Sequence, residues 1–324
     1  MAMPEQDTPT ISVIVVNFNT AHLLDEMAAS LRRAAGNLRL QVIVVDNASS
    51  DGSVDVIRSR FPDFELIAND RNVGFGRANN QALDRLRGEF ILLLNTDAFV
   101  LGEGSLQRAV DAMRRDPSIG VLGARLIGRD EVLQPSCRYF PTVANEFVRE
   151  SGLRHRFPNV RMVDDMTWDH ASLRECDWVP GCFYLMPRRV IETVGLFDPR
   201  FFLYFEEVDH CRRVKQAGWK VVYCPDVTVI HIGGESAKSV SAITRSGRQI
   251  SGLQVESSLL YFRKHHGLGG VLLLALSSWL LAGVRMFRRT LQRRPLADLA
   301  ASWSEAIAQA RALRRTRFGA APTR

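Results

Sequence analysis

Five consecutive apolar residues, Phe90 to Leu94, run directly into Asn95-Thr96-Asp97. Such a run predicts a strand buried on both faces, as in a parallel sheet covered by helices. Side chains alternate along an extended backbone, so Asn95 and Asp97 are expected to point the same way at the strand's carboxyl end. Open α/β sheets bind ligands along that edge. An acid there suits a hard divalent cation held against a diphosphate, or else it caps a loop or helix. Asp46 stands in the equivalent place after Gln41 to Val45. It could accept a hydrogen bond from a base imide or a ribose hydroxyl, or close an ordinary Asx-turn with Asn47.

Three further groups have chemical potential. Glu206, Glu207 and Asp209 open a helical stretch behind the aromatic run Phe201 to Phe205. Acids at a helix start stabilise its dipole. Three in four positions exceed what capping needs, and the apolar wall could raise one toward the working range of a general base. His231 closes an apolar strand and is either structural or a neutral second ligand beside Asp97. Arg71 to Asn80 carries Gly74 and Gly76, which let backbone approach a ligand, then opens a helix whose N-terminus attracts anions. Arg77 adds a charged donor suited to phosphate. The G-x-G-x-x-G dinucleotide spacing is absent.

The elements that position these groups alternate. Ile11 to Phe18, Gln41 to Val45, Phe64 to Ala68 and the Glu89 strand read as strands, separated by helical periodicities at Leu23 to Leu31 and Val54 to Phe61 and by a loop running into a helix over Gly74 to Arg87. This alternation predicts a doubly wound, mostly parallel sheet. A helix at Ser105 to Arg115 and a hairpin across Gly128 to Glu131 follow. Trp178 to Met186 reads as a buried strand with a Gly kink, and Lys220 to Tyr223 and Val227 to Ile230 as two short strands. Residues 140 to 177 keep no period, as expected of a functional or mobile loop.

Composition sets limits. With 324 residues, 46% hydrophobic and 24% charged, the chain is an ordinary globular one. Cys137, Cys176, Cys182, Cys211 and Cys224 are odd in number and form no C-x-x-C, so they read as reduced thiols without a zinc site. Residues 1 to 10 read as a polar leader without a basic-then-apolar signal, which places the main domain in the cytosol. Between Arg285 and Arg324 ten arginines face only Asp298 and Glu305, a net of +8 within a total of +7. The basic charge thus belongs to the tail, which suits an anionic membrane surface and disfavours a nucleic-acid-binding core.

Taken in order, Val15 to Asn19 (VVNFN), Val44 to Ser53 (VVDNASSDGS), Asn72 to Asn80 (NVGFGRANN), Leu93 to Asp97 (LLNTD) and Phe201 to Asp209 (FFLYFEEVD) resemble the inverting GT-A glycosyltransferases of family 2, and within it the rhamnosyltransferase-like branch of bacterial surface-polysaccharide synthesis. The resemblance covers about residues 10 to 265. It implies a Rossmann-like GT-A sheet with helices on both faces, a catalytic domain at 11–235 and a helical, membrane-associating region at 236–324. It implies that Asp46 contacts the nucleotide base while Asn17, Asn72, Gly74, Arg77, Asn80, Asn95 and Thr96 line the nucleotide-sugar. Asp97 would bind Mg²⁺ or Mn²⁺ with His231 completing the site, and Glu207, or its neighbour Glu206, would be the base. Trp178, Gly181 and Asp198 would shape the sugar and acceptor loops. The usual D-x-D appears here as Asn95-Thr96-Asp97, and Glu206-Glu207 replaces the commoner Glu-Asp.

Leu268 to Val284 is free of charge for 17 residues. As a helix it would be ~26 Å long, short of a ~30 Å hydrocarbon core, and spanning would oppose the positive-inside tendency. An in-plane anchor, peripheral or monotopic at the cytoplasmic face of the inner membrane, is expected, followed by a second interfacial helix through Leu299, Trp303, Ile307, Ala310 and Leu313. The alternative is packing on the domain or on a second copy of the chain. The expected activity is transfer of a sugar, L-rhamnose from dTDP-rhamnose, to a lipid-linked (polyprenyl diphosphate) saccharide. The alternatives are a UDP-hexose or UDP-galactofuranose donor, or a degenerate carbohydrate-binding subunit. A sugar nucleotidyltransferase would need a Gly-rich basic loop after the first strand, which Asn17 to His22 lacks.

Overall fold

Strand β1 (Ile11–Asn17) is paired in parallel on both sides, with β2 (Leu40–Asp46) and with β4 (Phe90–Asn95). The register sets Asn17 against Asp46 and Val16 against Asn95, so three polar side chains stand at one sheet edge. β3 (Glu65–Ala68) extends the sheet beyond β2. On the other side β9 (Phe183–Pro187) runs antiparallel between β4 and β6 (Ile119–Ile127), and β10 (Lys220–His231) follows in parallel with β6. The short β5 (Ala98–Val100) closes the order β3-β2-β1-β4-β9-β6-β10-β5; β7 (Leu133–Gln134) pairs with β6, and β8 (Arg174–Cys176) pairs with β10.

These strands belong to a computed structural model that describes residues 8–233, 248–292 and 296–324. The chain divides into two compact units. The first comprises Met1–Arg138, Asp164–Pro199 and Glu206–Ser246; the second comprises Tyr139–Val163, Arg200–Phe205 and Gly247–Arg324.

Period-two alternation builds the core of the first unit. Val13, Val15, Val44, Leu92, Leu94, Leu122 and Leu185 point to one face, where they pack with α1 (Leu24–Ala35) and α4 (Ser105–Arg115). Their neighbours Ile14, Ile43, Leu93, Tyr184 and Tyr223 are equally buried on the other face. α7 (Glu206–Gln216) covers that face: the Tyr184 hydroxyl lies 2.7 Å from Nδ1 of His210 and 3.1 Å from Sγ of Cys211. α2 (Ser53–Arg60), α3 (Phe75–Asn80) and α6 (Arg188–Val194) complete the connections.

Three local expectations change. Thr96 and Asp97 form a turn between β4 and β5, so strand alternation does not carry through to Asp97. Trp178 to Cys182 is a loop and β9 begins only at Phe183: Pro180 cannot donate to a ladder, and Val179 packs so closely on Gly123 of β6 that a Cβ there would lie 2.5 Å from its own. The two short strands near the end are one, β10, with a register shift between Cys224 and Thr228.

In the second unit, α5 (Val143–Ser151) is capped by a Thr142–Asn145 box, and α8 (Arg248–Leu291) is interrupted at Gly267, whose φ of 66° leaves the helical region. α9 (Leu296–Arg315) packs against α8. Leu259, Tyr261, Phe262, Val271 and Ala275 form the buried side of α8. Leu299 and Trp303 of the expected second interfacial stripe lie outside the residues whose side chains are described.

Candidate active site

The turn at Thr96–Asp97 places Asp97 beside the end of β10. Ala98 pairs with His231, and the Ile232 amide donates to the Asp97 carbonyl at 3.0 Å. The Asp97 carboxylate is 8% exposed and its Oδ1 lies 3.7 Å from Nε2 of His231. Gln134 fixes the imidazole: its amide nitrogen donates to the His231 carbonyl at 2.9 Å, which turns its oxygen toward Nδ1 at 3.2 Å. Nδ1 is therefore the donor, and the Nε2 lone pair faces the carboxylate. Burial holds the imidazole below its ordinary value, against the pull of Asp97 in the other direction.

Two acceptors facing each other at that spacing suit a cation between them. Among the described residues no group of three or more His, Cys, Asp or Glu side chains could hold a metal alone. One carboxylate and one neutral imidazole fit an open site whose remaining positions belong to substrate oxygens and water. Asn95, half-buried at the end of β4, adds only a neutral side chain.

Glu207 reaches the same edge through the loop before β9. Its carboxylate accepts the backbone N–H of Gly181, and burial raises its pKa above the ordinary value, partly countered by that bond and by the charge of Arg138. Oε2 of Glu207 is buried without a hydrogen-bond partner among the described residues. The next residue, Cys182, accepts the Asn95 amide at 3.2 Å through its carbonyl. Burial pushes the Cys182 thiol up, and the charges of both Asp97 and Glu207 add to the rise, so the two carboxylates share this neighbour. Glu206 is 3% exposed; Asp209 pairs with Arg213 at 3.0 Å within α7, and Arg213 donates to the Val194 and Leu196 carbonyls, tying α7 to the end of α6.

The remaining candidates act as a frame. Asn17 donates to Oδ1 of Asp46 at 2.8 Å and to Ser49 Oγ at 3.0 Å, while the Ser49 amide donates to Oδ2 of Asp46 at 2.9 Å. Asp46, 1% exposed, thus ties its own loop. Thr20 bridges Asn17 and Thr96, with both contacts at 2.7 Å. Asn47 holds the next loop: it donates to Asn72 at 2.9 Å and accepts the Val73 amide at 3.0 Å, while Asn72 accepts the Gly74 amide at 2.9 Å. Gly74 has a φ of 90°, a conformation that glycine adopts without strain. Asn80 donates to the Phe197 carbonyl and accepts its amide, and Nε of Arg77 donates to the Pro199 carbonyl at 2.8 Å. Both brace the turn that carries Asp198. Arg138 stacks 4.1 Å over the Trp178 ring and pairs with Asp164 at 2.6 Å.

Sequence reasoning missed Gln134, Asn47, Arg138 and Cys182. Only Asn47 had a signal, its place beside Asp46 at a strand end.

Residues 12–168 match the family described as Glycosyl transferase family 2. An N-acetylglucosaminyl-diphospho-decaprenol L-rhamnosyltransferase of Mycobacterium tuberculosis is 29% identical over 243 residues, which are 69% of this chain and 76% of that protein. A low-salt glycan biosynthesis hexosyltransferase of Haloferax volcanii is 24% identical, over 68% of this chain and 66% of its own length. Among solved structures, the mannosyltransferase PcManGT of Pyrobaculum calidifontis, in complex with GDP-Man and Mn²⁺, superposes with a TM-score of 0.56 at 19% identity, covering 97% of this chain and 87% of its own. Sheet order and sequence profile agree: residues 12–168 carry a family 2 glycosyl transferase domain, the fold is GT-A, and a long apolar helix follows.

Proposed function

We propose that the chain is an inverting glycosyltransferase that moves a sugar from a nucleoside-diphosphate donor to a hydroxyl of a lipid-linked saccharide, with L-rhamnose of dTDP-rhamnose as the donor sugar. The observation that carries this reading is the Asp97–His231 pair at 3.7 Å, with the neighbouring Cys182 thiol raised by the charges of both Asp97 and Glu207. Asp97 and Nε2 of His231 would hold Mg²⁺ or Mn²⁺, which when bound offsets the charge of the departing diphosphate. Glu207 takes the acceptor proton on Oε2 and becomes neutral, while before that step the Gly181 N–H and the charge of Arg138 stabilise its carboxylate. Its raised pKa brings it closer to the operating pH of a general base. The bonds of Asn17, Asp46 and Asn47 hold the loops between which the nucleotide would lie. The donor sugar rests on the Mycobacterium tuberculosis relative, whose name specifies rhamnosyl transfer to a decaprenol-linked acceptor.

The reading extends to a membrane surface. Leu268, Leu272, Leu273, Leu276, Trp279, Leu280, Val284, Phe287 and Leu291 are each at least 40% exposed. At ~100° per residue they fall within roughly 160° of the helix circumference. Val271, Leu274, Ala275, Leu281 and Ala282 are buried on the opposite side, where Ser278 donates to Glu150 of α5 at 3.4 Å. A spanning helix would carry Glu150 into hydrocarbon; an in-plane seat keeps it outside.

The test is turnover of dTDP-, UDP- and GDP-sugars by the full-length protein, with and without Mn²⁺. Cation-dependent release of the nucleotide, reduced by about 10²-fold or more in Asp97→Ala, is expected. Cation-independent turnover, or turnover indifferent to Asp97→Ala, refutes the reading.

A further inference from the structure

Between α8 and α9 of the second unit lies a cavity of about 360 Å³ that no step of the proposed reaction uses. Its walls are almost wholly apolar: Trp279, Ala282, Gly283 and Met286 from α8, and Ile307 and Ala310 from α9. Close-packed helices do not leave a void of this size, since interiors pack as densely as organic crystals. Among the described side chains, the small residues Ala282, Gly283, Ala306 and Ala310 leave this space open.

We propose that this cavity receives the isoprenoid chain of a polyprenyl-diphosphate-linked acceptor, an inference that rests on the glycosyltransferase reading above. Three features of the second unit support that occupant. Trp279 and Ile307 line the cavity yet remain 40% and 44% exposed, so it opens onto the surface bearing the apolar stripe. A chain already dissolved in the bilayer can therefore enter sideways without crossing water. Arg314 on α9 is exposed one turn beyond Ala310, on the same face of the helix, which supplies a cation for the diphosphate that such a chain carries. Met286 adapts to an irregular, methyl-branched guest. An apolar cavity of ~150 Å³ accommodates one benzene, so this one holds roughly two such groups, a short stretch of the chain next to its head.

The site would hold the lipid end of the acceptor at the membrane surface and favour long-chain lipids over free saccharides. The test uses the full-length protein in mixed micelles, titrated with a long-chain polyprenyl monophosphate and, separately, with phosphatidic acid and with inorganic phosphate. Binding is read as the change in tryptophan fluorescence that Trp279→Phe abolishes. Polyprenyl phosphate should saturate this signal, and Gly283→Leu and Ala310→Leu, which fill the cavity from either helix, should each weaken it by about tenfold or more. Circular dichroism and the donor-nucleotide thermal shift establish that each variant is folded, and Ile307→Ala, which enlarges the cavity, covers the case in which filling disrupts the helices by changing affinity without adding volume. Equal binding of phosphatidic acid assigns the cavity to bulk lipid, saturation by inorganic phosphate assigns the signal to the arginine alone, and a change in oligomeric state on filling assigns the face to a second copy; each overturns the proposal. Polyprenyl binding that the filling variants leave intact also overturns it. Wild-type protein that binds the lipid but turns over no nucleotide-sugar defeats the functional reading while leaving the cavity assignment standing.

Discussion

Glu207 combines burial, a backbone donor and an oxygen without a partner among the described residues, and these set its behaviour with pH. The unfolded carboxyl loses its proton near 4.5, and burial makes the native group hold it longer. Between those two values the native state binds more protons, so stability falls as pH rises through that window and stays lower above it. Glu207→Gln removes that cost. We expect it to lose about 10²- to 10⁴-fold in turnover while melting no lower than wild type at neutral pH. Turnover of the wild type should likewise fall as pH drops through the raised value, seen as an acid limb lying above the usual carboxylate range. A rate flat down to pH 4.5 would contradict the assignment. Asn17 has a different role, since its amide is the shared partner of Asp46, Ser49 and Thr20. Asn17→Ala leaves the buried Asp46 carboxylate short of a donor and should cost about 1–3 kcal/mol in urea unfolding.

At the scale of elements, the loop from Trp178 to Cys182 joins the two halves of the site, with Gly181 on Glu207 and Cys182 on Asn95. Its position depends on β6. A Cβ at Gly123 would lie 2.5 Å from Cβ of Val179, and neither a strand in mid-sheet nor a β-branched side chain gives way easily. Gly123→Ala should destabilise by about 1–3 kcal/mol and, by shifting the loop, lower turnover more than donor affinity. Differential unfolding and a kcat against KM comparison measure the two effects. Phe75 touches the other side of the loop, 3.4 Å from where a Gly181 Cβ would be, so α3 and Glu207 share a neighbour. Tyr204 and Phe205, just before α7, have φ of 72° and 70°, strained values for bulky residues at the point where the glutamates begin.

At the scale of the whole molecule, charge and apolar surface are segregated. The last forty residues carry the excess of arginine, and α8 within the same unit presents an exposed apolar stripe. Replacing Leu280 and Phe287, 63% and 65% exposed, by Gln should reduce co-sedimentation with anionic vesicles by 10²-fold or more, taking roughly 1.5–3 kcal/mol per apolar side chain. High salt should release the protein only in part, because the apolar contribution is not screened. Undiminished sedimentation of the double variant would refute the in-plane seat.

The alternation of apolar strands and helical periods determined the sheet by itself, because burial on both faces leaves a continuous apolar run that no loop can carry. Asn95, Asp97, Asp46 and Glu207 were legible as candidates for the same reason: each is a polar residue directly at the end of an apolar run or the start of a helix. What the sequence could not hold was distance. Gln134 orients His231 across 97 residues of chain, and Cys182 lies between two carboxylates whose separation in sequence exceeds a hundred. Local spacing has no term for such pairs, nor for the packing of Val179 on Gly123. Only the folded chain, in which the backbones of β4, β6 and β10 fix which side chains meet, decided which acids share an edge and which merely brace it.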